Sequence, residues 1–297
     1  MPRYRLPLQV ARCRRVNLET ATTSRIALAS GTIAHLAVAS LFLEIDTWPK
    51  PGLVSQVDDG SHHDMDASML RASAASLRPF FAMLFDAGAA GCSMAPLRAI
   101  GLRAEASMLR ATGGINTHRG AIFGLGLLCA AAGVAARAGI ARSELGEIVH
   151  YRWADEIRCG SALSRNQGSI ARSRFGVSGA PGEAAEGFPS IYRVALPALR
   201  TARKLRFDDE EAARVQACFA LIASVDDTNL LHRGGREGLS FAQAAAAGFL
   251  RDGGVAQPEW RSHAAAIHRT FVAQRLSPGG CADLLAMTLF VDALESR

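Results

Sequence analysis

Apolar residues recur every three to four positions along most of the chain, the spacing of one face of an α-helix. Ile26, Leu28, Ile33, Leu36 and Leu41 mark a first helix over 23–42. It must end before Trp48-Pro49-Lys50-Pro51-Gly52, because each proline removes a backbone donor and restricts the residue before it. Further helices are predicted over 66–87, bent near Pro79, over 96–111, and over 117–138. The last of these is the most apolar and meets Gly139, a residue suited to closing a helix in the left-handed region. The pattern continues over 143–163, 183–204 and 208–225. The Gly/Ser-rich stretch 168–182 reads as an exposed loop or lid. Ser240-Phe241-Ala242-Gln243 has the form of a capping box opening another helix. A helix over 258–276 follows. Ser277 as N-cap and Pro278 as first helical residue then open a last helix ending near Glu295. No alternating run predicts a strand.

Composition agrees. Of 297 residues, 49% are hydrophobic, 20% charged and 6% aromatic, with alanine runs at 130–132 and 244–247. Alanine favours helices, while strands favour β-branched and aromatic residues. The expectation is an all-α, single compact multi-helix domain with Gly/Pro-rich functional loops between its helices. The net charge of +6 suits an anionic partner. Part of that charge sits in Arg3, Arg5, Arg12, Arg14 and Arg15, so residues 1–18 read as a flexible basic arm before a catalytic domain over 19–297. Six scattered cysteines without a CxxC pair argue against a zinc site and a disulfide scaffold, and for a reducing cytoplasm. No stretch of about 20 apolar residues free of charge was found, which predicts no membrane span.

The unusual residues fall between helices. In 44–66, Lys50 lies between two prolines and loses little backbone freedom on binding a phosphate. The acidic cluster Asp58, Asp59, Asp64 and Asp66 offers oxygen ligands to a hard cation, or is a solvated loop whose last residue caps a helix. Thr112-Gly113-Gly114-Ile115-Asn116-Thr117-His118-Arg119-Gly120 places two glycines and two cap candidates before a helix, whose free N–H groups form an anion site. The spacing is not that of a Walker A loop. Glu105 lies on a mostly apolar stripe, as a catalytic group or as the partner of a nearby arginine. Asp226 and Asp227 end an apolar helix, where the dipole is negative, so Arg233 or a metal ion should compensate. In 276–285 a Gly pair opens a helix, and Asp283 in its first turn suits that helix's own dipole.

Taken in order, these segments resemble the triphosphoribosyl-dephospho-coenzyme A synthase family. Pro49-Lys50-Pro51-Gly52-Leu53-Val54, with Gly60-Ser61-His62 and Asp64-Met65-Asp66, looks like its opening signature, and 112–121 like its central one. Glu186-Gly187-Phe188-Pro189, Asp227-Thr228-Asn229 with Arg233-Gly234-Gly235, and Ser277-Pro278-Gly279-Gly280 with 282–286 resemble the later ones. Arg119 stands where a lysine is common, and Cys281 where a serine is. The resemblance implies an all-α enzyme that joins ATP to 3′-dephospho-coenzyme A and releases adenine. Its product would be the precursor of the acyl carrier prosthetic group of malonate decarboxylase or citrate lyase, passed on to a prosthetic-group transferase. No nucleic acid or membrane partner is expected, and a homo-oligomer is open. The triphosphate grip is assigned to Lys50, Gly113, Gly114, Asn116, Thr117, His118, Arg119, Arg233, Gly234 and Gly235. Asp64, Asp66, Glu105 and Asp227 are the catalytic candidates, and Asp64, Asp66, Asp226 and Asp227 those for Mg²⁺. A helical hydrolase of ADP-ribose-like substrates and a basic nucleic-acid-binding module are the rival readings. The scattered basic residues and missing aromatic platforms count against the second.

Overall fold

Asp66, Asp209 and Asp227 each open a helix by accepting from its free backbone N–H groups. The computed structural model describes residues 18–139, 145–161 and 167–296. Helix α1 (Leu18–Ile45) outruns its predicted span at both ends. Helix α2 (Ala67–Ala89) is capped by Asp66, which accepts from the Met69 N–H at 2.7 Å, and it continues through Pro79. Helices α3 (Met94–Ala111) and α4 (Arg119–Ala138) follow. Gly139 closes α4 in the left-handed region, as predicted. Helix α5 is Leu145–Ser161; both ends of its predicted span, at 143 and 163, lie outside the described residues, as does most of the basic arm.

The next stretch departs from the pattern. The expected loop over 168–182 is largely helical, as α6 (Gln167–Phe175) and α7 (Gly179–Ala185). Tertiary burial of Ala171, Ala184 and Ala185 outweighs the poor helix propensity of the glycines and serines around them. The helix predicted over 183–204 is instead broken after Ala185. Gly187 and Phe188 take left-handed backbone and Pro189 lacks a donor. A π turn over Ile191–Ala195 then leads into α8 (Leu196–Leu205). Helix α9 (Glu210–Ser224) is capped by Asp209. Helix α10 (Thr228–Arg251) begins twelve residues before the expected capping box, because Asp227 is the stronger cap. Its backbone breaks at Gly235 (φ 62, ψ −159), and Ser240 lies inside its second part. Helices α11 (Trp260–Ala273) and α12 (Gly279–Glu295) complete the chain, with Pro278 rather than Ser277 in the N-cap position of α12.

The described residues form one all-α body without a strand. Helix α4 packs against α1, α2, α3, α5, α7 and α12. It is long and apolar enough to cross a membrane, contrary to the expectation that no such stretch exists, but its most apolar window is 72% buried inside the protein. A neighbouring group forms where α9 packs on α8, α10 and α12. One apolar core runs through both groups, from Leu36 and Phe85 to Leu221 and Phe290.

The α2–α4 crossing depends on missing side chains. A methyl at Gly88 would stand 1.9 Å from the Ala130 carbonyl oxygen, and one at Gly133 2.0 Å from that of Phe85. Neither backbone atom can move alone. Gly133→Ala therefore gains up to about 1 kcal/mol of helix propensity but forces the helices apart, at about 3 kcal/mol or more. Its melting temperature should fall by several degrees. Gly31→Ala, in α1 with nothing within 4 Å of the added methyl, should raise it slightly. Calorimetry of the two variants checks the opposite signs.

Candidate active site

The loops between helices converge on a cavity of about 1280 Å³. That exceeds the ~300–1,000 Å³ usual for one small ligand and suits two large substrates. Its apolar wall includes Leu53, Leu97, Ile122, Phe188 and Met287. Its polar lining carries four arginines, Arg98, Arg119, Arg172 and Arg233, and carboxylates from six elements or loops.

Two carboxylates occupy helix N-termini. Asp227 is buried, and its Oδ1 accepts from the N–H groups of Asn229 (2.7 Å) and Leu230 (3.1 Å) in α10. Its Oδ2 accepts from the Cys281 N–H of α12 at 2.9 Å. One side chain thus caps two helices. The charge conflict expected at the end of α9 is resolved in this way, by the N-terminal dipoles of α10 and α12 rather than by Arg233. Burial pushes the Asp227 carboxyl up, and the three N–H donors oppose it. The close approach requires glycine: a methyl at Gly280 would stand 2.9 Å from Asp227 Oδ2, and one at Gly279 2.1 Å from Asn229 Nδ2.

The second is Asp283. It does not serve the dipole of its own helix alone, because it crosses to α4, where the Ala121 N–H hydrogen-bonds it. The anion site foreseen at the start of α4 therefore holds the protein's own carboxyl. Burial pushes Asp283 well above the usual carboxylate range, and Glu44 and Asp227 add to the shift.

Lys50 sits away from the cavity wall. It is fully buried, donates to the Glu44 carbonyl oxygen at 2.5 Å and pairs with the Glu44 carboxylate. Glu44 itself lines the cavity. Burial raises its carboxyl, with Lys50 opposing. The clamping prolines thus hold Lys50 inward, where burial makes a carboxylate partner obligatory.

The central loop does line the cavity, through Gly114, Asn116, Thr117, His118 and Arg119. Gly113 and Gly114 have φ of 64° and 98°, with open space where a side chain would stand. The Asn116 Oδ1 accepts from the Arg119 N–H at 3.2 Å, while His118 holds the N-cap position. Arg119 donates its Nε–H to Glu105 at 2.7 Å, so Glu105 is an arginine partner at the cavity wall. His118 is buried, with Nδ1 2.8 Å from Ser73 Oγ and no partner at Nε2. Burial, aided by Lys50, lowers its pKa from 6.5 to about 4.

Arg233, also on the cavity wall, donates to the Ser61 and Arg275 carbonyls, at 3.0 and 3.2 Å, and its Nη2 lies 3.3 Å from His62 Nδ1. His62 Nε2 is 2.9 Å from Ser277 Oγ, and its Nδ1 3.5 Å from Asp64. Burial and Arg233 lower the His62 pKa. Asp64 and Asp226 line the cavity with exposed carboxylates. Asp66, Gly113, Gly234 and Gly235 do not line it. Asp66 caps α2, and a methyl at Gly234 would meet Leu276 Cδ2 at 2.6 Å. Among the described residues no three His, Cys, Asp or Glu side chains converge to hold a metal, so Asp64, Asp66, Asp226 and Asp227 do not come together as one four-residue site.

Glu44, Asp283 and Glu183 were not among the site residues expected from sequence. Glu183 accepts from the Ser190 N–H at 2.7 Å and lines the cavity. The signal for Asp283 lay in Gly120-Ala121, a helix start bare of bulk, which single-chain periodicity does not pair with a distant residue.

The buried histidine has a consequence for stability. His118 stays neutral in the folded protein down to about pH 4, while the unfolded chain takes up its proton near pH 6.5. The unfolded state therefore binds more protons in that window, and stability falls as pH falls through it, by about 3 kcal/mol in all. His118→Gln should flatten this part of the curve of denaturation midpoint against pH.

Comparison with known proteins identifies the family of the chain. The family model described as ATP:dephospho-CoA triphosphoribosyl transferase matches residues 30–297. A protein of Stutzerimonas stutzeri (strain A1501), described as a probable 2-(5''-triphosphoribosyl)-3'-dephosphocoenzyme-A synthase, is 40% identical over 277 residues, spanning 87% of this chain and 90% of that protein. One from Pectobacterium atrosepticum (strain SCRI 1043), described as 2-(5''-triphosphoribosyl)-3'-dephosphocoenzyme-A synthase, is 38% identical over 262 residues, spanning 84% of each. One from Acinetobacter calcoaceticus, described as a probable synthase of the same kind, is 37% identical over 264 residues, spanning 87% of this chain and 89% of that protein. No solved structure matches the chain. The chain belongs to the ATP:dephospho-CoA triphosphoribosyl transferase family, an enzyme family of transferases.

Proposed function

We propose that this enzyme binds ATP and 3′-dephospho-coenzyme A together in the cavity. It transfers the triphosphoribosyl group from adenine to the 2′-hydroxyl of the coenzyme and releases free adenine. The observation that carries this reading is the cavity itself: one space of about 1280 Å³ lined by four arginines and by many apolar side chains. The reacting ribose carbon must lose a base and accept a hydroxyl, so by analogy with glycoside chemistry its transition state has oxocarbenium character.

The helix N-termini of α4, α10 and α12 are engaged by Asp283 and Asp227, so the triphosphate falls to side chains and to open loop backbone. Arg119, Arg233 and the Gly114–Thr117 segment are the groups that would grip it. Arginine suits phosphate because its planar fork donates two parallel hydrogen bonds. A Mg²⁺ ion would arrive with the triphosphate and neutralise part of its charge. The hard oxygen donors left on the wall for it are Asp64 and Asp226, and Mg²⁺ bound to a substrate polyphosphate needs only one or two protein carboxylates.

The product is the precursor of the prosthetic group of an acyl carrier protein, that of malonate decarboxylase or of citrate lyase, handed on to a prosthetic-group transferase. We place the reaction in the cytoplasm, the reducing compartment that six scattered cysteines without a CxxC pair suit.

Incubation with ATP, Mg²⁺ and 3′-dephospho-coenzyme A, followed by chromatography and mass spectrometry, should give adenine and a triphosphoribosyl adduct in equal amounts. Adenine formed without the coenzyme would favour hydrolysis instead. Arg119→Ala and Arg233→Ala should each raise KM for ATP by about 10- to 100-fold, the size of a lost charged hydrogen bond. A change confined to KM for dephospho-coenzyme A would remove them from the triphosphate site.

A further inference from the structure

Two titratable side chains flank the start of α4 and take no part in the proposed triphosphate grip. Asp283 reaches this point from the first turn of α12, and both it and His118 line the cavity. A methyl at Gly120 would stand 2.0 Å from Asp283 Oδ2, so the bare helix start is what lets the carboxyl lie against the α4 backbone. The Ala121 N–H is its backbone donor, and the charged groups facing it are Glu44 of α1 and Asp227, both carboxylates. Among the described residues it has no lysine or arginine partner. His118 immediately precedes the same helix. Its Nδ1 is fixed by Ser73 Oγ, which lies 2.7 Å from Thr117 Oγ1, and its buried Nε2 has no partner. The charged group facing it is Lys50.

Burial opposes the charged form of each group, and the charges around them add to it: the carboxyl faces carboxylates and the imidazole faces Lys50. A carboxyl and an imidazole whose charged forms are both disfavoured thus stand at the start of one helix and line one cavity. Environments that push two titratable groups in opposite directions are how acid and base roles are set apart.

We propose that Asp283 is the general acid and His118 the general base of the triphosphoribosyl transfer, an assignment that rests on the reaction proposed above. The bond from the ribose C1 to adenine breaks and its electron pair leaves with the base, which takes the Asp283 proton. The ribose C1 forms its new bond to the 2′-oxygen of dephospho-coenzyme A, and the hydroxyl proton passes to His118 Nε2. One proton is delivered and one is taken. The site is left with a carboxylate and an imidazolium, and proton return from His118 to Asp283 resets it. Ser73 is a positioning residue that holds the ring with Nε2 available.

The test uses the full chain with ATP, Mg²⁺ and 3′-dephospho-coenzyme A, reading adenine release against pH for the wild type, Asp283→Asn and His118→Gln. Each variant should lose about 10²–10⁴-fold in kcat while KM for ATP stays within about threefold. Asp283→Asn should abolish the alkaline limb of the pH profile, and His118→Gln the acidic limb. Should Asp283→Asn fail to fold by circular dichroism, His118→Ala carries the test, with added imidazole restoring adenine release. A variant that keeps a third or more of kcat, a loss of kcat with both limbs unchanged, or no response of His118→Ala to imidazole would overturn the assignment. A wild type that releases no adenine sinks the reaction itself, and is told apart by failing before any substitution is made.

Discussion

A buried carboxylate that caps two helices at once holds this site in place. Asp227 takes N–H donors from both α10 and α12, and so fixes where the two helices begin relative to each other. The loop ahead of α12 in turn meets the loop ahead of α2, where Ser61 Oγ donates to the Leu276 carbonyl at 2.6 Å and Gly52 leaves room for that same oxygen. His62, Ser277 and Arg233 are brought together by that contact. Such a carboxylate is stable without water only because two helix dipoles and three N–H groups replace its hydration.

The same device recurs at α4, with a different result. Asp283 has the Ala121 N–H, but burial first and two neighbouring carboxylates second push its carboxyl well above the usual range. Glu44 is balanced by Lys50, a cation drawn out of solvent by two flanking prolines and fully buried. Three acids near one cavity therefore meet three environments: capped, crowded and paired. The cavity's arginines, by contrast, stay charged in any of these surroundings.

The glycines divide by physical role. Gly52, Gly120, Gly279 and Gly280 are needed because another atom occupies the place of a side chain. Gly113, Gly114 and Gly235 face open space and are needed for their left-handed backbone. The first kind binds the loops to one another, and the second lets the backbone turn at the mouth of the cavity and inside α10.

The sequence by itself determined the helical class, most helix spans and the loops that form the cavity. These depend on periodicity, caps and prolines, all of which act within a few residues. The left-handed close of α4 at Gly139 and the cap of α2 at Asp66 are examples. It also carried the family, because several short motifs stand in order along the chain. Only the tertiary structure decided that 168–182 is helical, that Lys50 turns inward to Glu44, and that Asp283 reaches across to α4. Each of these depends on burial, or on a partner held by another element or loop. Local pattern has no term for a charge that meets its neighbour only after the helices have packed.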